Sequence, residues 1–366
     1  MPDDTLFCGD HWERGYGDLE WRGYTPERTM PWYFYALCGK VFAGFGVKVR
    51  PDAFCCFKTD KGGITLHINV RSGGVGCILN GKEITCCELV CAEYENKELF
   101  SAECDFTALL ADGAIFPAKP VYGFNNWYYA YGESSAEEIL ENTAHVARLT
   151  KGLKNRPFMV IDDCWQLHRI DGDGYIGGSW RCGNAKFPDM KRLAEDMAAY
   201  DVIPGIWCRP TQNKGEDIPE EWYLDKSEYT LDISVPEVLA YIAEDIDTIC
   251  AWGYKLIKYD YSTCDLTRKW GSAMHDRVSE DHIHFRDRSC TTAMLIKKLY
   301  KTVFEAVNGR ALILGCNTVG HLGVGYMQMN RTGDDTSGRA WQRTRQMGIN
   351  TLAFRMAQHN TFYSTI

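Results

Sequence analysis

The chain of 366 residues has no uninterrupted apolar run of about 18 residues, so nothing in it is expected to cross a membrane as a helix. It has no excess of basic charge. Its 40 Lys and Arg stand against 49 Asp and Glu, a net charge of −9, which argues against a nucleic-acid binder. It has no Cys-x-x-Cys spacing, and hence no zinc signature, so no metal site and no cofactor is expected. The opening MPDDTLFCGDHWERGYGD has neither the basic n-region nor the apolar h-region of a secretory signal. The 16 cysteines are therefore expected as reduced thiols in a cytoplasmic protein.

What the chain does have is apolar bulk and a change of rhythm. Hydrophobic residues make up 45%, with 11 Trp, 20 Tyr and 16 Phe, enough for a sizeable core and for aromatic faces that could stack on sugar rings. The length suits two domains. Residues 1–118 read as a small β-rich domain. Runs such as ITLHINV (64–70) lie between Gly-rich turns, and Asn80-Gly81 signals a hairpin. The adjacent pairs Cys55-Cys56 and Cys86-Cys87 suit alternating strand faces.

From 119 to 366 strand-like runs alternate with helical patterns. Strands are expected near 122, 158, 203, 255, 311, 326 and 351, and helices near 135–150, 188–200, 236–251, 289–307 and 339–348. Ser134-Ser135 with Glu137-Glu138 supplies a helix start, and Pro236 fits a first helical position. Such strand–helix units indicate an α/β fold with a parallel sheet, as in a TIM (β/α)8 barrel. Seven strands are one short of closure, so the barrel is expected to be incomplete at its C-terminus. The exposed sheet edges would favour a homo-oligomer.

Polar residues collect at the C-terminal ends of these strands. LIKYDYS (256–262) places Lys258 and Asp260 on one strand face, because side chains alternate with period two. Trp127, Asp162, Asp163, Trp165, Arg209, Asn317 and the run Arg331 to Asp335 occupy the corresponding ends of other strands. In a barrel those ends converge on one face, so a single pocket would hold several carboxylates, a lysine, two arginines and several tryptophans. His282 and His284 fall in a charged loop and read as solvated. Cys164 and Cys316 have no matching histidine and read as small residues at the core edge.

The segments GFNNW (123–127), IDDCW (161–165), GIWCRP (205–210), LDISVPEV (231–238), LIKYD (256–260) and NRTGDD (330–335) occur in an order that resembles clan D glycoside hydrolases, the α-galactosidase superfamily. The likeness is greatest to family 36, with family 27 next. It covers residues 120–366; the first 118 resemble the β-sandwich that precedes the family 36 barrel only in a general way. The resemblance implies that Asp260 is the nucleophile and that Asp335, closing an Arg-x-x-x-Asp pattern, is the general acid/base, with Asp334 the alternative by one position. It implies that Asp162 and Asp163 grip sugar hydroxyls, that Trp127 and Trp165 line that end of the pocket, and that Lys258 and Arg331 bond ring hydroxyls. Arg209 is expected in the same pocket.

The chemistry asks for the same residue types. A retaining glycosidase needs one carboxylate to attack the anomeric carbon and another to protonate the leaving oxygen. Lys258 would help keep Asp260 ionised, while Asp335 would need a raised pKa to hold its proton. The implied activity is retaining hydrolysis of small α-galactosides. α-N-acetylgalactosaminidase and α-galactosyl transferase are the alternatives within the clan, and an inactive, truncated sugar-binding chain is the alternative outside it. Asn317 and His321 lie where the family senses the sugar's 2-substituent, and either hydroxyl or acetamido remains open there.

Overall fold

The computed structural model describes residues 2–167, 177–336 and 338–366. Seven parallel strands form one sheet in sequential order, curved as an incomplete barrel: β1 (Gly123–Asn125), β2 (Phe158–Ile161), β3 (Ile203–Cys208), β4 (Leu256–Tyr259), β5 (Leu312–Gly315), β6 (Met329–Asn330) and β7 (Ser364–Thr365). Neighbours register as Val160 with Gly205, Gly205 with Leu256 and Leu256 with Leu312. The strands are apolar on both faces, as a sheet covered on one side and closing on itself requires. Phe158, Val160, Leu256 and Met329 turn inward and pack together. Met159, Ile161, Ile206, Ile257 and Ile313 turn outward into the larger core shared with the helices.

Four long helices cover that outer face. The first, α1 (Ala136–Leu149), starts where Ser135 Oγ accepts from the Glu138 N–H at 3.3 Å, and it buries Ile139, Thr143 and Val146 at one-turn intervals. Asp189 caps α2 (Met190–Ala199) in the same way. Pro236 begins α3 (Pro236–Ala251), which packs on α4 (Thr292–Val307) through stripes that include Ile242, Ile246, Ile249, Leu295, Leu299 and Val303. No helix among the described residues is long and apolar enough to cross a membrane.

The N-terminal β-rich region holds a four-stranded antiparallel sheet (6–9, 33–38, 41–47 and 89–95) and a three-stranded one (30–31, 54–60 and 63–69). The strand Phe54–Asp60 joins the two cores. Its Cys55 packs into the aromatic core of the N-terminal sheets and Cys56 into the barrel core. All 16 cysteines are free thiols. Barrel residues Phe354, Phe362 and Tyr363 pack into the N-terminal core. Beside them Arg355 Nη2 meets Asp10 Oδ1 at 2.8 Å, with both side chains buried.

Two expectations need correction. The run near 351 is not a strand: residues 347–358 form a continuous helical stretch, and the seventh strand is Ser364–Thr365. Thr351, Phe354, Arg355 and Gln358 are buried together, which is a helical spacing that the apolar look of TLAF conceals. Asn80 and Gly81 make a turn with positive φ at both positions, but their flanks do not pair as a hairpin. Those flanks bond elsewhere, Ile78 N–H to the Arg288 carbonyl and the Cys86 carbonyl to the N–H groups of Asp52 and Ala53.

Candidate active site

At the C-terminal ends of the strands lies a polar cavity of about 250 Å³, lined by Trp127, Tyr131, Asp162, Asp163, Trp207, Lys258, Asp260, Tyr261, Asn317, Arg331 and Asp335. A larger cavity of about 390 Å³ sits beside it, between β1 and the C-terminal residues. Its walls are mostly apolar, including Phe124, Val160, Leu314, Met347 and Ile366. The larger one lacks Asp260 and Asp335. Chemistry that needs two carboxylates therefore belongs to the smaller cavity.

Asp260 ends β4. The next residue, Tyr261, has φ +65°, and this turn brings its N–H back to Asp260 Oδ1 at 2.7 Å. Asn317 N–H reaches the same oxygen at 3.1 Å, and Trp207 Nε1 donates to Oδ2 at 2.9 Å. Three N–H donors thus aim a buried carboxylate that need only accept. Lys258 is not its direct partner. The Lys258 Nζ sits 2.6 Å from Asp162 Oδ2, and Asp260 acts on it only through space. The lysine turns to Asp162 because that carboxylate is the nearer one across the barrel mouth, where Asn125 Nδ2 also holds it at 2.5 Å.

Asp163 follows the same turn logic. Cys164 has φ +85°, and its N–H donates to Asp163 Oδ1 at 2.6 Å, with Gln166 Nε2 at 2.7 Å on the same oxygen. Asp163 Oδ2 is buried without a hydrogen-bond partner among the described residues. Burial pushes this carboxyl up to about 6 against the opposing bonds, and the charge of Asp162 adds to the rise.

Asp335 faces the pocket and Asp334 does not. Asp334 is gripped by Arg343 and by Arg14 Nη2 at 3.2 Å, on the side of the larger cavity. Asp335 Oδ1 accepts from Arg331 and, at 3.0 Å, from the Tyr128 hydroxyl. Burial raises its pKa, but Arg331, helped by Arg14 and Tyr128, prevails and holds it below the usual carboxylate value. This corrects the expected upward shift, which reckoned with neighbouring carboxylates and not with two arginines.

Three other expected members lie outside the cavity. Trp165 is fully buried beneath it, its Nε1 on the Trp207 carbonyl at 2.9 Å and its ring against Trp180 and Trp252. Arg209 is buried against Asp265, with Nη2 to Oδ1 at 2.5 Å, where it supports the Tyr261 ring from 4.2 Å. His321 stacks on Trp32 at 5.1 Å in the seam with the N-terminal region. Cys316 Sγ accepts from Arg331 Nη1 at 3.4 Å, and burial pushes its thiol up to about 12. His282 and His284 are exposed, with His284 Nε2 beside the Asp281 carbonyl at 3.0 Å.

Five residues were not anticipated: Trp207, Tyr261 and Tyr131, which line the cavity, and Tyr128 and Arg14, which bond its lining residues Asp335 and Asn317. Trp207 could have been found, since it stands two residues before Arg209 on one strand path. Tyr261 and Tyr128 directly follow Asp260 and Trp127. Arg14 carries no local signal. It arrives from the N-terminal region and donates to Asn317 Oδ1 at 2.6 Å, across 303 residues of sequence.

Comparison with known proteins agrees with the likeness seen in the motifs. No family model matches the chain. An α-galactosidase of Oryza sativa subsp. japonica is 27% identical over 144 residues, 38% of this chain and 29% of that enzyme. Among solved structures, TtGalA, an α-galactosidase from Thermus thermophilus in complex with stachyose, superposes with a TM-score of 0.65 at 16% identity, covering 99% of this chain and 78% of that one. The GH36 α-galactosidase AgaA from Geobacillus stearothermophilus gives 0.65 at 16% identity, covering 99% and 53%. The galactosidase domain of AgaSK, an α-galactosidase–sucrose kinase, gives 0.66 at 15% identity, covering 99% and 52%. The fold is that of the family 36 α-galactosidases. The matched stretch is under a third of the rice enzyme, and the chain spans about half the length of AgaA.

Proposed function

We propose that the chain is a retaining exo-acting α-glycoside hydrolase that removes terminal α-galactosyl groups from small oligosaccharides. The observation that carries this reading is the pairing of Asp260 and Asp335 in one polar cavity, with Asp260 aimed by three N–H donors. Asp260 attacks the anomeric carbon and forms a glycosyl-enzyme, and Asp335 protonates the departing oxygen. In the second half-reaction Asp335 takes a proton from water, which then attacks the same carbon and frees Asp260. Lys258, Asp162 and Asp163 meet the sugar's hydroxyls, with Trp127 beside them.

As arranged, Arg331 and Arg14 favour Asp335 in the ionised form that the second half-reaction uses. The first half-reaction needs the protonated form. Arg331 turning from Asp335 to a sugar hydroxyl removes the strongest influence lowering its pKa and readies the acid. Raffinose-type sugars are the proposed substrates, in keeping with the stachyose bound to TtGalA.

The test is hydrolysis of p-nitrophenyl α-galactoside by the whole chain, with Asp260→Ala beside it. The wild type is expected to release nitrophenol, and the variant to lose about 10⁴-fold in kcat, the scale on which a covalent nucleophile is missed. Full activity in Asp260→Ala would remove Asp260 from the role. No release from any α-hexoside would refute the activity itself.

A further inference from the structure

The segment 11–18 crosses from the N-terminal sheets onto the barrel face and brings Arg14 against Asn317, a lining residue of the cavity. It is tied down at several points. Gly15 N–H donates to the Thr332 carbonyl at 2.9 Å, Arg355 Nη2 to the Glu13 carbonyl at 2.8 Å, and Asn350 Nδ2 to the Gly17 carbonyl at 2.7 Å. A Cβ on Gly15 would come within 2.4 Å of the Thr351 side chain, so only glycine lets the strap lie this close. The Arg14 guanidinium lies 5.5 Å from the Tyr16 ring centre and 5.7 Å from that of Trp270. Its side chain is 12% exposed.

The contact with Asn317 has one chemical sense. A guanidinium has donors and no acceptor, so the carboxamide atom 2.6 Å from Arg14 Nη1 must be the oxygen. The Asn317 backbone is fixed as well. Its N–H is on Asp260 Oδ1 at 3.1 Å, and its carbonyl accepts from Thr263 N–H at 3.2 Å and Thr263 Oγ1 at 3.1 Å. The side-chain nitrogen is what remains to meet a ligand in the cavity that Asn317 lines. Because the Asn317 N–H sits on the Asp260 carboxylate at 3.1 Å, a sugar whose anomeric carbon is at Asp260 would present the substituent of its adjacent carbon within reach of this side chain, and a hydrogen bond to a 2-hydroxyl there would strengthen as the transition state forms.

We propose that Arg14 is a specificity-determining residue: by occupying Asn317 Oδ1 it leaves only N–H groups facing the sugar, and so selects an oxygen acceptor at the 2-position over an ammonium or a bare methylene. The inference builds on the sugar-site reading above. The positive charges of Arg14, Arg331 and Lys258 around the cavity act in the same direction against a cationic substituent.

Calorimetric binding of galactose, 2-deoxygalactose and galactosamine to the whole chain tests it without relying on turnover. Wild type is expected to prefer galactose to each analogue by about tenfold, the scale of one hydrogen bond. In Arg14→Met, where the carboxamide can turn over, the preference should fall to about twofold. Arg14→Lys, which still donates to Oδ1, should keep most of it. Asn317→Asp keeps a partner for Arg14 but removes the donors, and should bind galactosamine more tightly than galactose. Melting temperatures recorded alongside identify any variant that fails to fold, in which case Asn317→Asp carries the test. If Arg14→Met or Asn317→Asp binds the three sugars in the wild-type ratio, the role given to Arg14 is wrong while the sugar site stands. If wild type binds none of them, the sugar-site reading falls, and the inference with it.

Discussion

The dipeptide Asp-Asp occurs twice at the barrel mouth, at 162–163 and at 334–335, and the two pairs have been given opposite environments. In the first pair both members line the pocket and are buried: Asp162 meets Lys258, and one oxygen of Asp163 has no hydrogen-bond partner among the described residues. In the second pair Asp334 is held by Arg343 and Arg14, while Asp335 faces the pocket beside Arg331. Burial raises Asp163 to about 6 against weaker opposing bonds, whereas the arginines beside Asp335 outweigh its burial and lower it. The same two residues become the proposed sugar-binding pair in one place and the proposed acid/base with its own counter-ions in the other. What decides is the company each carboxylate keeps.

The comparison breaks most visibly at the second pair. Asp335→Asn should cost about 10² to 10⁴-fold in kcat/KM for p-nitrophenyl α-galactoside, the range of a general acid/base, whereas Asp334→Asn should stay within about tenfold. Equal losses would mean that the register of the acid is off by one.

The first pair should show itself in stability. A folded-state pKa raised from 3.8 to about 6 means that Asp163 favours folding most when protonated, below the unfolded value, and that this contribution is lost as pH rises through 6. The difference corresponds to about 3 kcal/mol. Asp163→Asn should therefore gain stability relative to wild type between about pH 4 and pH 6, measured by denaturant unfolding. Asp335 has the opposite sign. Its lowered pKa stabilises the fold above the unfolded value and loses that contribution as pH falls through the folded one, so Asp335→Asn should be relatively weaker at neutral pH than in acid. Parallel pH trends in the two variants would undo the contrast between the pairs.

The smallest effect is at Tyr128, whose hydroxyl donates to Asp335 Oδ1. Tyr128→Phe removes a donor to the anion and should raise the pKa of the acid. The basic limb of the kcat/KM profile should then move to slightly higher pH, with kcat changed by only about twofold. A shift to lower pH would contradict the assignment of that limb to Asp335.

Much of the barrel was legible because its signals are local. The outer face of each strand is apolar, its end is polar, and four helices begin near where Ser135, Pro236 and similar residues predict. Cys55 and Cys56 part to opposite faces as alternation requires. What escaped was non-local or too short. Ser364–Thr365 is a strand of two residues, with no room for a period to show. Trp165 and Arg209 stand at strand ends like the true lining residues. Their burial under the pocket depends on partners such as Trp180 and Asp265 that no spacing rule connects to them. Arg14 belongs to a strap whose docking is decided by Gly15, Thr332, Asn350 and Arg355, at the two ends of the sequence.

The division of labour between Asp260 and Asp335 is tested most directly by trapping the covalent intermediate. The whole chain would be treated with 5-fluoro-α-galactosyl fluoride, whose slow turnover lets a glycosyl-enzyme accumulate, and the labelled peptide sequenced by mass spectrometry. The account predicts one sugar per chain, esterified to Asp260, and faster labelling in wild type than in Asp260→Ala, which should take none. A label on Asp335, Asp162 or Asp163, with Asp260 unmodified, would contradict it.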